Sequence, residues 1–266
     1  MTLSCIQQPH EHLDAHLEHG VLTLAINRPK AKNALYGALY LWIAKALDEA
    51  DQDKNVRVVI LRGADLDFTA GNDMQDFMQF IQKPLVGKAG DAPPFVVLKA
   101  AAKFSKPLIA AVRGVAIGIG VTLLLHADLV YSDQTALFQL PFVSLGLSPE
   151  GASSQLLVQQ LGYHKAAELL FTAQKFNSEK ALSAGLINSI EEDVYAKAQQ
   201  QAQILAALPL ASIRQTKALM KHHLPEILTC IDHEAEIFMQ RVSSPEMTEA
   251  VAAFMQKRQA NFSQFT

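Results

Sequence analysis

Apolar positions in the first half of the chain switch between two periods. From Val21 to Asn27 (VLTLAIN) they alternate and favour β-formers, so this segment reads as a strand, with Glu18-His19-Gly20 as the turn of a hairpin leading into it. Beyond the Arg28-Pro29 break the spacing becomes helical from about Ala34 to Ala50, with Leu35, Leu39, Trp42, Ile43, Ala46, Leu47 and Ala50 on one face. Val56 to Leu61 and Leu108 to Val112 read as buried strands ending in Arg62-Gly63 and Arg113-Gly114, and Ala127 to Tyr131 as a third. Each runs into a loop, a glycine and a helical pattern, a cadence that predicts ββα-like units at irregular spacing. The stretch 79–94, rich in Gly, Pro and Lys, is expected to be a mobile surface loop. From Ser178 onward the pattern is helical, broken at Gly185, Pro209, Pro225 and Pro245. Its last segment, Met247 to Asn261, sets Val251, Phe254 and Met255 on one stripe beside Lys257 and Arg258.

Composition narrows the class. The 266 residues are 50% hydrophobic and 18% charged, which excludes wholesale disorder and leaves ample length for a core. A net charge of -3 gives none of the basic excess that nucleic-acid binding demands. Cys5 and Cys230 cannot make a disulfide framework or, alone, a metal site. The first residues show no basic-then-apolar leader, and the longest apolar runs fall far short of a membrane span. The expectation is a cytoplasmic protein with no nucleic-acid or membrane partner. His10, His12, His16 and His19 near the start read as surface histidines, since no cysteine partners them.

Three segments carry candidate chemistry. Phe68-Thr69-Ala70-Gly71-Asn72-Asp73-Met74 is a strand-to-helix turn whose small residues let a ligand approach the backbone, although Asn72 or Asp73 also reads as a helix N-cap. Gly114 to Thr122 (GVAIGIGVT) lacks the dinucleotide spacing G-x-G-x-x-G and instead offers a glycine-rich helix start with free N–H groups; tight helix–strand packing explains it equally. In Leu145 to Gly151 (LGLSPEG), Ser148 reads as an N-cap, Pro149 as the first helical residue and Glu150 as a first-turn acid. The helix dipole would hold the Glu150 carboxyl down there, whereas an apolar pocket would push it up.

In order along the chain, NRPKAKNA from Asn27, FTAGNDM, KPLIAAVRGVAIGIG, ADLVYSD, the run from Thr172 to Gly185-Leu186 and FMQKRQANF at the end resemble the crotonase (enoyl-CoA hydratase/isomerase) superfamily over nearly the whole chain. The resemblance implies an α/β fold: a crotonase-like spiral of ββα units over residues 1–190 holding the acyl-CoA site, and a C-terminal helical trimerisation region over 191–266. It also implies a homotrimer or a dimer of trimers. The backbone N–H groups of Asn72 and Ile119 match the family's oxyanion-hole positions. Ala70, Gly71, Asp73, Met74 and Gly118 flank that hole, Phe142 and Leu147 are expected as apolar wall of the acyl pocket, and Lys30, Ala31, Lys32 and Lys257 match positions near the CoA nucleotide.

Hydratases of this family use two glutamates to add water, and the matching positions here hold Thr122 and Phe142, neither of which can serve as base or acid. Glu150 stands where the family's isomerases place a lone acid, and its surroundings look most like peroxisomal-type Δ3,Δ2-enoyl-CoA isomerases. The implied reaction is a 1,3-proton shift with Glu150 as sole acid and base, needing no metal or redox cofactor, coenzyme A being part of the substrate. The alternatives are isomerisation of ring-derived enoyl-CoAs, thioester hydrolysis, or a non-catalytic acyl-CoA binding module.

Overall fold

The computed structural model describes residues 3–82 and 87–265. A six-stranded sheet runs in the order β1 (Leu13–Glu18), β2 (Val21–Ile26), β3 (Val58–Gly63), β4 (Leu108–Val112), β6 (Leu129–Ser132), β9 (Ser189–Ile190). A second, three-stranded sheet orders β5 (Val115–Ile117), β7 (Leu137–Gln139) and β8 (Phe176–Asn177). The helices are α1 (Ser4–Gln7), α2 (Gly37–Gln52), α3 (Met74–Gln82), α4 (Pro93–Lys103), α5 (Ile119–Thr122), α6 (Ser153–Leu161), α7 (Tyr163–Thr172), α8 (Ser178–Ala184), α9 (Val194–Ala207), α10 (Leu210–Met220), α11 (Leu224–Val242) and α12 (Pro245–Met255). Among the described residues, no helix is long and apolar enough to cross a membrane.

The β1–β2 hairpin is antiparallel, and both of its turn residues, His19 (φ 49°) and Gly20 (φ 81°), are left-handed, as a tight turn matching strand twist requires. From β2 to β9 the large sheet is parallel, so its strands need cover on both faces. Alternate residues supply it. Leu22, Leu24, Val59, Leu61, Leu108, Ala110 and Val112 enter the main core, while Val21, Val58, Ile60, Ile109 and Ala111 pack with Val194, Ala198 and Ala202 of α9. The expected spiral is present: β4 leads to β5 and α5, β6 to β7 and then α6, and β3 to a bridge between Thr69 and Ala116 and then α3.

Several expected boundaries move, each for a local reason. The helix expected from Ala34 begins at Gly37, because Leu35 is drawn into a bridge with Asn72. The strand expected at Ala127 begins at Leu129, since Asp128 turns its carboxylate onto the Leu108 N–H at 2.8 Å. Helix α3 runs through Gln82 and α4 starts at Pro93, so the expected loop 79–94 is largely replaced by ordered elements; its residues 83–86 lie outside the described residues. Pro209, Pro225 and Pro245 sit at helix starts, where a missing N–H costs nothing. The last helix ends at Met255, so Lys257 (φ 51°) lies past it in a left-handed turn rather than on the tail helix. The expected division at residue 190 follows the last strand, but α9 beyond it still covers the sheet.

Lys106 ties the end of α2 to the start of β3: its buried ammonium donates to the carbonyls of Ala50, Asp53 and Val56 at 2.7, 2.7 and 2.9 Å. Lys106→Met would take the ammonium from all three carbonyls, of which Asp53 keeps the Val56 N–H at 3.2 Å, and urea denaturation should show a stability loss of about 2–4 kcal/mol.

Candidate active site

Two chain segments run side by side and present the two N–H groups. Thr69 donates its N–H to Val115 and accepts from Ile117 (2.9 and 3.1 Å), which sets it opposite Ala116. Asn72 and Ile119 each lie three residues beyond that paired position. Gly71 (φ 86°) lets the strands close up, since a Cβ there would lie 2.6 Å from the Ile117 carbonyl oxygen. Leu35 donates to the Gly71 carbonyl and accepts from the Asp73 N–H, at 2.8 and 2.7 Å, so the ladder skips the Asn72 N–H. Ile119 is the first residue of α5, where helical N–H groups have no internal acceptor. Among the described residues neither N–H finds an acceptor. Both residues line two adjoining cavities.

Glu150 is placed differently from expectation. It does not lie in a first helical turn: α6 begins only at Ser153, after Gly151 (φ 76°) and Ala152 (φ 58°) turn the chain through left-handed geometry. Ser148 caps nothing, and its hydroxyl is buried without a partner. The dipole therefore does not govern this carboxyl; burial does. Glu150 is 4% exposed, and burial pushes its carboxyl up to about 8, helped by the negative charge of Glu234 and opposed by a hydrogen bond from Thr122. The Thr122 hydroxyl donates to Oε1 at 2.5 Å, and Oε2 has no partner. One helical turn past Thr122, His126 fixes the neighbouring peptide. Burial pulls that ring down to about 3, so it stays neutral and donates from Nε2 to the Gly151 carbonyl at 2.9 Å.

The smaller cavity, about 40 Å³, is lined by Glu150, Asn72, Ile119, Asp73, Asp76 and Tyr40 with an apolar remainder that includes Phe77, Phe95 and Phe238. Asp73 and Asp76 are occupied elsewhere. Asp73 accepts from Arg28 at 2.6 Å and caps α3, which holds it below the usual carboxylate range despite burial, and Asp76 accepts from the Gly37 N–H at 2.9 Å. The larger cavity, about 290 Å³, is lined by Ala70, Gly71, Met74, Gly118, Phe142 and Leu147, together with α12 residues from Met247 to Phe254. Phe142 and Leu147 thus border the space next to Glu150's cavity rather than that cavity itself. Lys30, Ala31 and Lys32 form a turn outside both cavities, joined to the site where the Lys32 carbonyl accepts from the Ala70 N–H at 2.9 Å. Lys257 lines neither.

Sequence reasoning missed Tyr40, Phe95 and Phe238. Tyr40 belongs to the apolar stripe of α2 and is 2% exposed, yet its hydroxyl donates to the Asn72 side-chain oxygen at 2.5 Å. A polar tip on a core stripe was the available signal.

The family profile described as Enoyl-CoA hydratase/isomerase matches residues 16–265. This chain belongs to that family. Its chemistry is of the acyl-CoA hydratase/isomerase type, and its relatives carry both activities in their names. The 2,3-dehydroadipyl-CoA hydratase of Escherichia coli is 31% identical over 91% of this chain and 94% of its own. The human enoyl-CoA delta isomerase 2 is also 31% identical, over 91% of this chain and 62% of its own. A crystal structure from Acinetobacter baumannii, assigned as an enoyl-CoA hydratase/isomerase, superposes with a TM-score of 0.90 at 76% identity, over 92% of this chain and 99% of that one.

Burial of Glu150 has a consequence for stability that can be measured. Its folded carboxyl is raised from 4.5 to about 8, so the native state holds the proton that the unfolded state releases, and stability falls as pH rises through that window. Glu150→Gln should therefore be more stable than the natural protein at pH 8, by no more than roughly 1.4 kcal/mol per pH unit above the unfolded value, with the difference vanishing in acid. Paired denaturation curves at pH 5 and pH 8 check this; an equal gap at both pH values would contradict it.

Proposed function

We propose that the chain is a Δ3,Δ2-enoyl-CoA isomerase with Glu150 as its single acid and base. One observation carries the reading: a lone uncommitted carboxyl oxygen, Oε2 of Glu150, is buried in the cavity lined by both free N–H residues. The positions that the resemblance matches to the hydratase glutamates hold Thr122 and Phe142, which agrees with it. The ionised carboxylate removes a proton from C2 of a 3-enoyl-CoA. The electron pair delocalises onto the thioester oxygen, where the Asn72 and Ile119 N–H groups stabilise the dienolate. The protonated Glu150 then delivers the proton to C4, leaving the 2-enoyl-CoA. With C2 and C4 on the same side of a planar dienolate, one carboxyl serves both steps. An apolar cavity suits this task, since a base raised toward neutrality gives up and regains a proton readily.

The larger cavity, bordered by Ala70, Gly71, Met74, Phe142 and Leu147, accommodates the thiol side of the substrate, and Lys30, Lys32 and Lys257 serve the CoA nucleotide. The protein works in the cytoplasm on fatty acyl-CoAs undergoing β-oxidation, as a homotrimer or a dimer of trimers. The exposed apolar residues Leu208, Leu219 and Met220 in and beside α10 support burial of that region between subunits.

The experiment is absorbance of the conjugated thioester with 3-hexenoyl-CoA. The natural protein should convert it, and Glu150→Gln should lose about 10²–10⁴-fold in kcat with acyl-CoA affinity nearly unchanged. Binding without conversion of any 3-enoyl-CoA would leave only an acyl-CoA binding module.

A further inference from the structure

We propose that this site accepts neutral acyl chains and rejects chains that end in a carboxylate, an inference that rests on the isomerase reading. The direction of the acyl chain follows from the two cavities. Asn72 and Ile119 line both, which puts the thioester oxygen at their shared wall, while Glu150 lines only the smaller. C2 and C4 must reach Glu150, so carbons beyond C4 extend into the smaller cavity.

What meets them there is apolar or acidic. Phe238 packs edge-on against Phe95 and Phe77, with centroids 5.9 and 6.2 Å apart, and Pro93, Pro94 and Met239 complete the apolar lining. The ionisable side chains lining the cavity are Tyr40, Asp73, Asp76 and Glu150; among the described lining residues there is no Lys, Arg or His. Two cations on the surrounding elements are already engaged. Arg28 pairs with Asp73 and donates to the Ala34 carbonyl at 3.0 Å, and Lys99, on the helix that carries Phe95, pairs with Asp232 and donates to the Gly90 carbonyl at 2.9 Å. A terminal methyl group gains from burial against these rings. A carboxylate in its place would lose its hydration, find no cation among the described lining residues and face fixed negative charge.

Two substrates of equal length separate the cases: 3-hexenoyl-CoA and the mono-CoA ester of 3-hexenedioic acid, whose sixth carbon is a carboxylate. With the natural protein at pH 8, kcat/KM should favour the neutral substrate by at least about 100-fold. Met239→Lys, at a partly exposed position of the lining, should raise turnover of the diacid ester and narrow that ratio about 10-fold or more by supplying the missing cation. Comparable rates on both substrates would overturn the inference while leaving the isomerase reading intact. So would a ratio unmoved in a Met239→Lys variant that still turns over 3-hexenoyl-CoA. Conversion of neither substrate by the natural protein would overturn the isomerase reading and this inference with it.

Discussion

Removal of one carboxyl group from water, with only one of its oxygens given a partner, is the constraint around which this structure is organised. Glu150 receives a hydrogen bond from Thr122 on Oε1 and nothing on Oε2. Left to itself such a group would relax toward solvent or draw a cation toward it. The fold prevents both: Gly151 and Ala152 carry the chain through left-handed turns, and His126 pins the next carbonyl, so the side chain stays where the apolar cavity is. Uncompensated burial lowers stability at neutral pH, and it raises the carboxyl to about 8, the range in which a proton can be both taken and returned.

The rest of the site is built by backbone rather than side chains. Thr69 and Ala116 pair, Gly71 lets their segments close up, and the two N–H groups three residues further on are left without acceptors. Because both N–H groups belong to the backbone, neither position needs a polar side chain to present one. The Asn72 side chain is given a separate duty, accepting from the buried hydroxyl of Tyr40. Thr122 at the end of α5 and His126 just beyond it hold the loop of Glu150 through hydrogen bonds to Oε1 and to the Gly151 carbonyl.

Much of this was legible in the sequence because it rests on periodicity and small residues. The alternation in β2, the buried runs of β3 and β4, the Glu18–Gly20 hairpin and the FTAGNDM turn all declare themselves locally. Strands of two or three residues, β5, β7, β8 and β9, do not, since they are held by neighbours rather than by their own pattern. Ser148-Pro149-Glu150 imitates a helix start in composition, but the two left-handed residues that follow delay the helix, and no propensity rule reveals a left-handed alanine at 152. Tyr40 and Phe238 look like ordinary stripe residues; that they face a cavity is a fact of tertiary packing alone.

The account's central claim is that an acyl thioester sits with its oxygen between two backbone amides and its allylic carbons beneath one buried carboxyl. A crystal structure with hexanoyl-CoA, which has no double bond to move, tests this most directly. The account predicts the thioester oxygen about 3 Å from the N atoms of both Asn72 and Ile119, and the Glu150 carboxyl within about 3.5 Å of C2 and C4. An acyl chain lying in the larger cavity toward Phe142, with Glu150 turned away from it, would contradict the account.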